Sequence, residues 1–274
     1  MLKKGIVVVR GGGDVATGTI CRLHRCGFQV LVLETKSPTA IRRTVSFCEA
    51  VYNSEIVVED VTAVHVQAPD QCEQVWQNGK IPIYIDLKAD CINKLQPVAV
   101  VDAILAKKNY GTCIDMAPVT IALGPGFHAG RDVHAVIETA RGHSLGRVIY
   151  NGTALANSGI PGVIEGYSNE RVIYATTPGP LKILHDIGYR VNTGEVIATI
   201  GNIPVVAPID GLIRGMIRDN FQVHKGLKIA DIDPRIEEQE NCYTISDKAR
   251  CISGGVLEAL LFLSSTNNFE PSTI

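Results

Sequence analysis

Three consecutive glycines, Gly11-Gly12-Gly13, follow directly on the run Ile6-Val7-Val8-Val9-Arg10. A β-branched run without polar interruption is the pattern of a strand buried on both faces. Glycines placed there let the chain turn tightly and bring backbone N–H groups close to an anion at the start of a helix. Gly11-x-Gly13-x-x-Ala16 fits the glycine fingerprint that joins the first strand of a dinucleotide-binding unit to its helix, so Gly11, Gly12, Gly13, Asp14 and Val15 form one candidate binding loop. A second apolar run, residues 30–33, ends at Glu34, where such folds hold a ribose hydroxyl. A further glycine-rich turn, Gly124-Pro125-Gly126-Phe127-His128-Ala129-Gly130, has Arg131 and Arg141 close behind it. Amides at Gly124, Gly126 and Gly130 with two guanidinium groups are suited to a phosphate or another oxyanion.

Other chemistries compete for the same residues. Asp14 beside a phosphate is repulsive unless it caps the helix or meets a cation, which favours a turn that needs glycine for geometry alone. At the second loop the alternative is a capped helix with solvated charges, Asp132 capping and Glu138 pairing with Arg131 or Arg141. His128 and His134 lie six positions apart across the expected loop-to-helix junction, which is not a recognised ligand spacing, so no metal is expected. No role is assigned to the histidines His128, His134 and His143. Of eight cysteines none forms a C-x-x-C pair. Most read as small apolar core residues, and Cys113 and Cys251, set in glycine- or charge-rich stretches, are the better candidates for a reactive thiol. Cys113 is the weak catalytic candidate.

The elements that must position these groups follow from periodicity. A helix is expected over residues 15–24, strands near 81–86, 98–103 and 119–123, a helix over 132–139, and a strand from 145 to 150. Residues 56–66 read as a strand and a short helix, and 70–77 as helix. Pro82 suggests that its strand begins there or lies at an edge. Residues 256–263 read as an apolar helix, and the polar tail from residue 265 on is expected to fray. The 274 residues carry a formal net charge of −2 and no basic run, which excludes a nucleic-acid footprint. No apolar stretch is long enough to span a membrane, and Met1-Leu2-Lys3-Lys4 leaves no room for a leader before the first strand, so a cytoplasmic protein is expected.

The second half contains a repeat. Shifting residues 175–200 by 32 positions superposes Ala175 on Ala207, Gly179 on Gly211, Val191 on Val223, Gly194 on Gly226, Ile197 on Ile229, Ala198 on Ala230 and Ile200 on Ile232. Two copies of short strands and turns resemble the halves of biotinyl/lipoyl-like domains, which predicts a small all-β barrel-sandwich hybrid. The carrier lysine of that fold is missing: no lysine occurs between Lys182 and Lys225, so no biotin or lipoyl attachment is expected. The fold class expected is therefore α/β, a Rossmann-like open sheet over residues 1–166 with a barrel-sandwich hybrid at 167–235. Residues 236–274 form a linker and a C-terminal helix packing back on the first domain.

Several motifs together carry a family resemblance. They are Gly11-Gly12-Gly13-Asp14-Val15-Ala16-Thr17-Gly18, Val101-Asp102-Ala103-Ile104-Leu105-Ala106-Lys107, Gly124-Pro125-Gly126-Phe127-x-Ala129-Gly130, Val136-Ile137-Glu138-Thr139-x-Arg141-Gly142-His143 and Lys228-Ile229-x-Asp231-Ile232-Asp233-Pro234-Arg235. Over nearly its whole length the chain resembles the selenium-dependent molybdenum hydroxylase accessory proteins of the YqeB type. The resemblance implies a maturation factor that binds a phosphate-bearing small molecule, molybdopterin cofactor or a nucleotide, and serves a molybdenum hydroxylase. It brings no catalytic residues with it, and it leaves open both catalysis and a homo-oligomer. The alternatives are an NAD(P)-dependent oxidoreductase, carried by the fingerprint and Glu34 but lacking a Tyr-x-x-x-Lys proton donor, and a non-catalytic scaffold.

Overall fold

The computed structural model describes residues 5–265. The start on which the leader expectation rests, and the tail beyond Ser265, lie outside the described residues. The chain divides into two compact units: Met1–Pro38, Ser46–Asn157 and Ile245–Ile274 in the first, Thr39–Val45 and Ser158–Thr244 in the second. These divisions differ from the expected 1–166, 167–235 and 236–274, because Thr39–Val45 and residues 158–166 and 236–244 all belong to the second unit.

The first unit opens with β1 (Ile6–Arg10), α1 (Asp14–Arg25) and β2 (Gln29–Glu34), the expected strand, glycine turn, helix and strand. It continues through α2 (Ala50–Asn53), β3 (Glu55–Val58), β4 (Val61–Val66), α3 (Cys72–Gln77), β5 (Ile81–Ile85) and α4 (Ile92–Leu95). Then come β6 (Ala99–Asp102), β7 (Val119–Leu123), β8 (Ala135–Ile137) and β9 (Val148–Ile149). The nine strands form one sheet in the order β3-β4-β5-β2-β1-β6-β7-β8-β9. From β4 to β8 every pair is parallel, and β3 and β9 close the edges antiparallel. The central strands are apolar on both faces, with Val7, Val8, Val9, Val30, Leu31, Val32, Val100 and Val101 all fully buried, as a sheet covered on both sides requires.

Three local expectations fail here for physical reasons. Residues 56–66 make a β-hairpin rather than strand and helix, because alternation continues on both sides of the Glu59-Asp60 turn, where Glu59 takes a positive φ of 55°. Pro82 sits inside a central strand, yet the ladder to β2 starts only at Ile83, so its missing N–H falls outside that ladder. Residues 132–139 are not a helix: the apolar trio Ala135-Val136-Ile137 pairs parallel with β7 and is buried on both faces.

The second unit contains β10 (Val172–Tyr174), β11 (Gly179–Ile183), β12 (Arg190–Val191), β13 (Val196–Ile200), β14 (Ile203–Val206), β15 (Gly211–Met216), β16 (Gln222–Val223) and β17 (Lys228–Asp233). They form two four-stranded sheets, β10-β17-β15-β12 and β14-β13-β11-β16. The repeat is expressed in the backbone: Gly194 and Gly226 share a left-handed turn, with φ of 85° and 82°. Each copy also lends its short middle strand to the other sheet, since β12 pairs with β15 and β16 with β11. The expected fold class is corrected on this point. The chain is an α/β protein with one large mixed sheet, and a barrel-sandwich hybrid at residues 167–235 is not what accompanies it. The two antiparallel sheets belong to a larger unit that also holds residues 39–45 and the turn at Ile236–Cys242. Ile41 O accepts the Met216 N–H at 2.8 Å, Arg43 Nε donates to Met216 O at 2.7 Å, and Thr44 donates to Cys242 O.

The chain returns to the first unit as α5 (Asp247–Ser265), which packs along α1. Gly18 makes that approach: a Cβ there would lie 2.8 Å from both the Cβ and the carbonyl oxygen of Ala249. Gly254, inside α5, has nothing within 4 Å of such an atom. Gly18→Ala is expected to lower stability by about 1–3 kcal/mol through overpacking. Gly254→Ala is expected to raise it by about 0.5–1 kcal/mol through helix propensity. Urea denaturation midpoints of the two variants check both signs.

A second test lies in Asp233. It is buried, accepts two bonds from the Arg235 guanidinium at 2.9 and 2.7 Å and pairs with Arg214. Although burial raises its carboxyl, those donors outweigh it and bring the pKa down from 3.8 to about 2. A depressed carboxyl contributes stability that is complete above the unfolded value and lost as pH falls through the folded one. About 2 kcal/mol should therefore disappear between pH 4 and pH 2, and Asp233→Asn should remove that part of the acid limb of a denaturation-against-pH curve.

Candidate functional site

The first glycine loop leaves the carboxyl end of β1, with β2 on one side and β6 on the other. That is the point where strand order reverses and where open α/β sheets bind ligands. Gly11 has φ of 93° and faces backbone, with Ala103 O and Ile104 Cα each 3.0 Å from where a Cβ would stand. Gly12 is equally confined by Cys48 N at 2.9 Å, and its carbonyl accepts the Cys48 N–H. Gly13 differs. It is the N-cap of α1 in ordinary extended conformation, φ −67° and ψ 178°, with open space around it. The first intrahelical bond is Thr17 N–H to Gly13 O at 2.8 Å, so the amides before Thr17 have no acceptor inside the helix.

Glu34, at the end of β2, reaches this loop. Its Oε2 accepts the Gly12 N–H at 2.8 Å and its Oε1 accepts the Thr35 N–H at 2.7 Å. Burial pushes the Glu34 carboxyl up, against the downward pull of those donors. Asp14, Glu34 and Glu49 all act electrostatically on Cys48, whose thiol burial pushes well up. The amino end of α1 is thus edged by carboxylates. Lys248, at the start of α5, is within electrostatic reach of Asp14: burial and Arg141 lower its pKa, while Asp14, Glu138 and Asp247 oppose that shift. Sequence reasoning passed over Lys248 because nothing local marks it.

Next to the loop, under the reversal point, lies a sealed polar cluster. Arg10 ends β1, Asp102 ends β6, and Thr112 bridges them: the Arg10 guanidinium donates to the Thr112 hydroxyl, which donates to Asp102 Oδ2 at 2.5 Å. Arg10 and Asp102 stand 3.8 Å apart, and Arg10 also donates to Leu87 O and Tyr110 O. All three residues are no more than 3 % exposed. Burial raises the Asp102 carboxyl, moderated by Thr112, the Ile104 N–H and Arg10.

The second glycine loop is arranged differently. Gly124 has φ of 76° and a Cβ there would run into the Thr139 hydroxyl, and Gly126 has φ of 113° and a Cβ there would lie 2.7 Å from Lys108 N. Gly130 also takes a positive φ. These glycines serve close approach, and no helix follows them. Arg131 is engaged with Asp132 through two bonds of 2.9 and 3.0 Å, and Arg141 with Asp247 through two of 2.9 and 3.2 Å. Glu138 faces backbone amides. Its carboxylate accepts the N–H groups of Thr139 and Ala140, each at 2.7 Å, and of Leu155 at 2.8 Å. His128 bonds to Ala129 O and His134 to Thr120, and among the described residues no three His, Cys, Asp or Glu side chains gather as a metal site. Cys113 is exposed beside a short 3₁₀ turn, and Cys251 lies within α5 rather than in a loop. No helix among the described residues is long and apolar enough to cross a membrane.

Comparison with known proteins finds no family model that matches. The chain is 50 % identical over 258 residues, 94 % of its length, to a protein called uncharacterized protein YqeB from Escherichia coli strain K12. It spans about half of that relative, 48 %. Among solved structures it is 11 % identical to the ectoine utilization protein EutE (DoeB) from Ruegeria pomeroyi, with a TM-score of 0.27 over 84 % of this chain and 85 % of that one. A succinylglutamate desuccinylase from Silicibacter sp. TM1040 gives 11 % identity and a TM-score of 0.26, covering 84 % of each chain. At such scores these likenesses bear on neither fold nor function.

The sealed cluster generates a prediction. Thr112→Val removes the bridging hydroxyl and strands the Arg10 and Asp102 groups that used it, at a cost of about 1–3 kcal/mol. Asp102 also loses a donor, so its already raised pKa climbs further. A raised carboxyl gives stability that is present below the unfolded pKa and lost as pH rises through the folded one. The drop in stability from acid to neutral pH should be larger in Thr112→Val than in the parent, as read by denaturation at a series of pH values.

Proposed function

We propose that the chain is the ligand-handling part of an accessory factor that helps mature a selenium-dependent molybdenum hydroxylase in the cytoplasm. Its ligand is a nucleotide-bearing molecule, either molybdopterin cofactor in nucleotide form or a free nucleotide, seated at the amino end of α1. The observation that supports this best is the pairing of a fixed carboxylate with an open helix end. Glu34 is held on the Gly12 amide, and beside it the space at Gly13 is empty. A ribose diol donates well to such a carboxylate, and a phosphate is stabilised by the helix amides and dipole. Carboxylates around the loop disfavour a bare phosphate and favour a sugar turned toward Glu34, with Lys248 balancing the phosphate charge. The motif resemblance supplies the hydroxylase as partner.

Isothermal titration of the full chain with cytidine and adenosine nucleotides, NAD and isolated molybdopterin cofactor tests the reading. Gly13→Glu is compatible with the extended backbone and open space at that position, so it should fold. It should also weaken nucleotide binding about a hundredfold or more by placing a carboxylate where phosphate would lie. Lys248→Met should weaken nucleotides about tenfold while leaving the corresponding nucleosides unchanged. Binding that survives Gly13→Glu unaltered overturns the assignment of this site.

A further inference from the structure

A cleft of about 370 Å³ opens at the opposite rim of the nine-stranded sheet. Its lining includes Pro97, which precedes β6, Pro118, which leads into β7, and His134, which leads into β8. It therefore lies at the amino ends of three adjacent parallel strands, away from the glycine loop. The volume falls in the range of about 300–1,000 Å³ common for small-molecule sites.

Two polar groups give the cleft a defined chemistry. His134 is locked by Thr120 on β7: the Thr120 N–H points at Nδ1 from 3.0 Å, the Thr120 hydroxyl lies 2.8 Å from the same atom, and the His134 N–H donates to that hydroxyl at 3.2 Å. A ring nitrogen that accepts a backbone N–H carries no proton, so the neutral imidazole bears its hydrogen on Nε2 and can only donate there. Burial lowers the His134 pKa, with Asp115 opposing, which keeps the ring in this neutral form. Asp115 is the charged residue of the lining and offers only acceptors. Its effect on His134 places the two within electrostatic reach of each other. The flat apolar surfaces of Pro97 and Met116 complete the walls, and Gln96 is braced by a bond to Asn93 O at 2.8 Å.

We propose that this cleft is a second ligand site, for a small planar N-heterocycle whose edge sets a carbonyl beside N–H donors, as guanine's does. The ligand carbonyl accepts the His134 Nε2–H and the ligand N–H groups donate to the Asp115 carboxylate. An anion is excluded by Asp115, and a ligand without an acceptor leaves the His134 donor unmatched. The site is independent of the nucleotide reading, because it shares no residue with the α1 loop.

The probe is isocytosine (2-aminopyrimidin-4-one), which carries this edge without ribose or phosphate. It is titrated into the ¹⁵N-labelled full chain and followed by amide chemical shifts. Saturable shifts confined to residues 114–117 and 134, weakened about tenfold or more in Asp115→Asn and unchanged in Gly13→Glu, are expected. Pyrimidin-4-one, lacking the amino donor, should bind more weakly than isocytosine. Asp115 is exposed, so its substitution leaves the fold intact, which unchanged shifts elsewhere verify. Absence of saturable shifts up to about 20 mM probe, or an Asp115→Asn titration identical to the parent, overturns the proposal while leaving the α1 site untouched.

Discussion

Carboxylates set against backbone N–H groups hold the carboxyl rim of the large sheet. A parallel sheet ends in a row of strands whose chains must all turn away, and each turn leaves amides without a ladder partner. Glu34 at the end of β2 takes the amides of Gly12 and Thr35. Asp102 at the end of β6 takes the Ile104 N–H at 3.2 Å and, through Thr112, the charge of Arg10. Glu138, directly after β8, takes three amides and pins the segment that runs on to Leu155. A buried carboxylate is costly unless several donors face it, and each of these has them. The acids that look catalytic in the sequence are first of all the groups that let the strands end.

That constraint leaves one opening. At Asp102 and Glu138 the donors come from the protein and the groups are enclosed. Glu34 holds the amides of Gly12 and Thr35, and at Gly13, the next residue along the loop, nothing beyond its chain neighbours lies within 4 Å of a would-be Cβ. Two glycine-rich turns with nearly the same sequence signature thus end up in different situations. The atoms that fill the space around Gly124 and Gly126 belong to Thr139 and Lys108, and nothing in the local pattern announces them. The first loop was legible because strand, turn, helix and second strand are contiguous. The second was not, because what occupies it is set by long-range packing.

The repeat was legible in the same limited way. Its glycines share left-handed turns and its apolar positions line one core. Identity at equivalent positions does not say which strand pairs with which. The middle strands β12 and β16, two residues each, pair with the other copy rather than their own, an exchange that costs no change of sequence. Recruitment of Thr39–Val45 likewise rests on a main-chain bond, Met216 N–H to Ile41 O, and on bonds from Arg43 and Thr44 to main-chain carbonyls that no sequence pattern marks. Patterns of side chains reveal faces and turns; they are silent about bonds between main chains.

The polar stretch from His128 to His143 shows how much rests on a single element. As a helix, residues 134 and 138 would lie one turn apart on one face and could share a ligand. With β8 between them, four steps of about 3.3 Å put His134 at the amino rim and Glu138 at the carboxyl rim, on the order of 13 Å apart. The cluster seen in the sequence is thereby split between the two ends of the sheet. One part braces the turns after the strands, and the other lends His134 to a cleft before them. Apolar Val133, Val136 and Ile137 fit either period, and what decides between them is β7, an all-buried neighbour that offers a parallel ladder and leaves no room for a helix in the sheet.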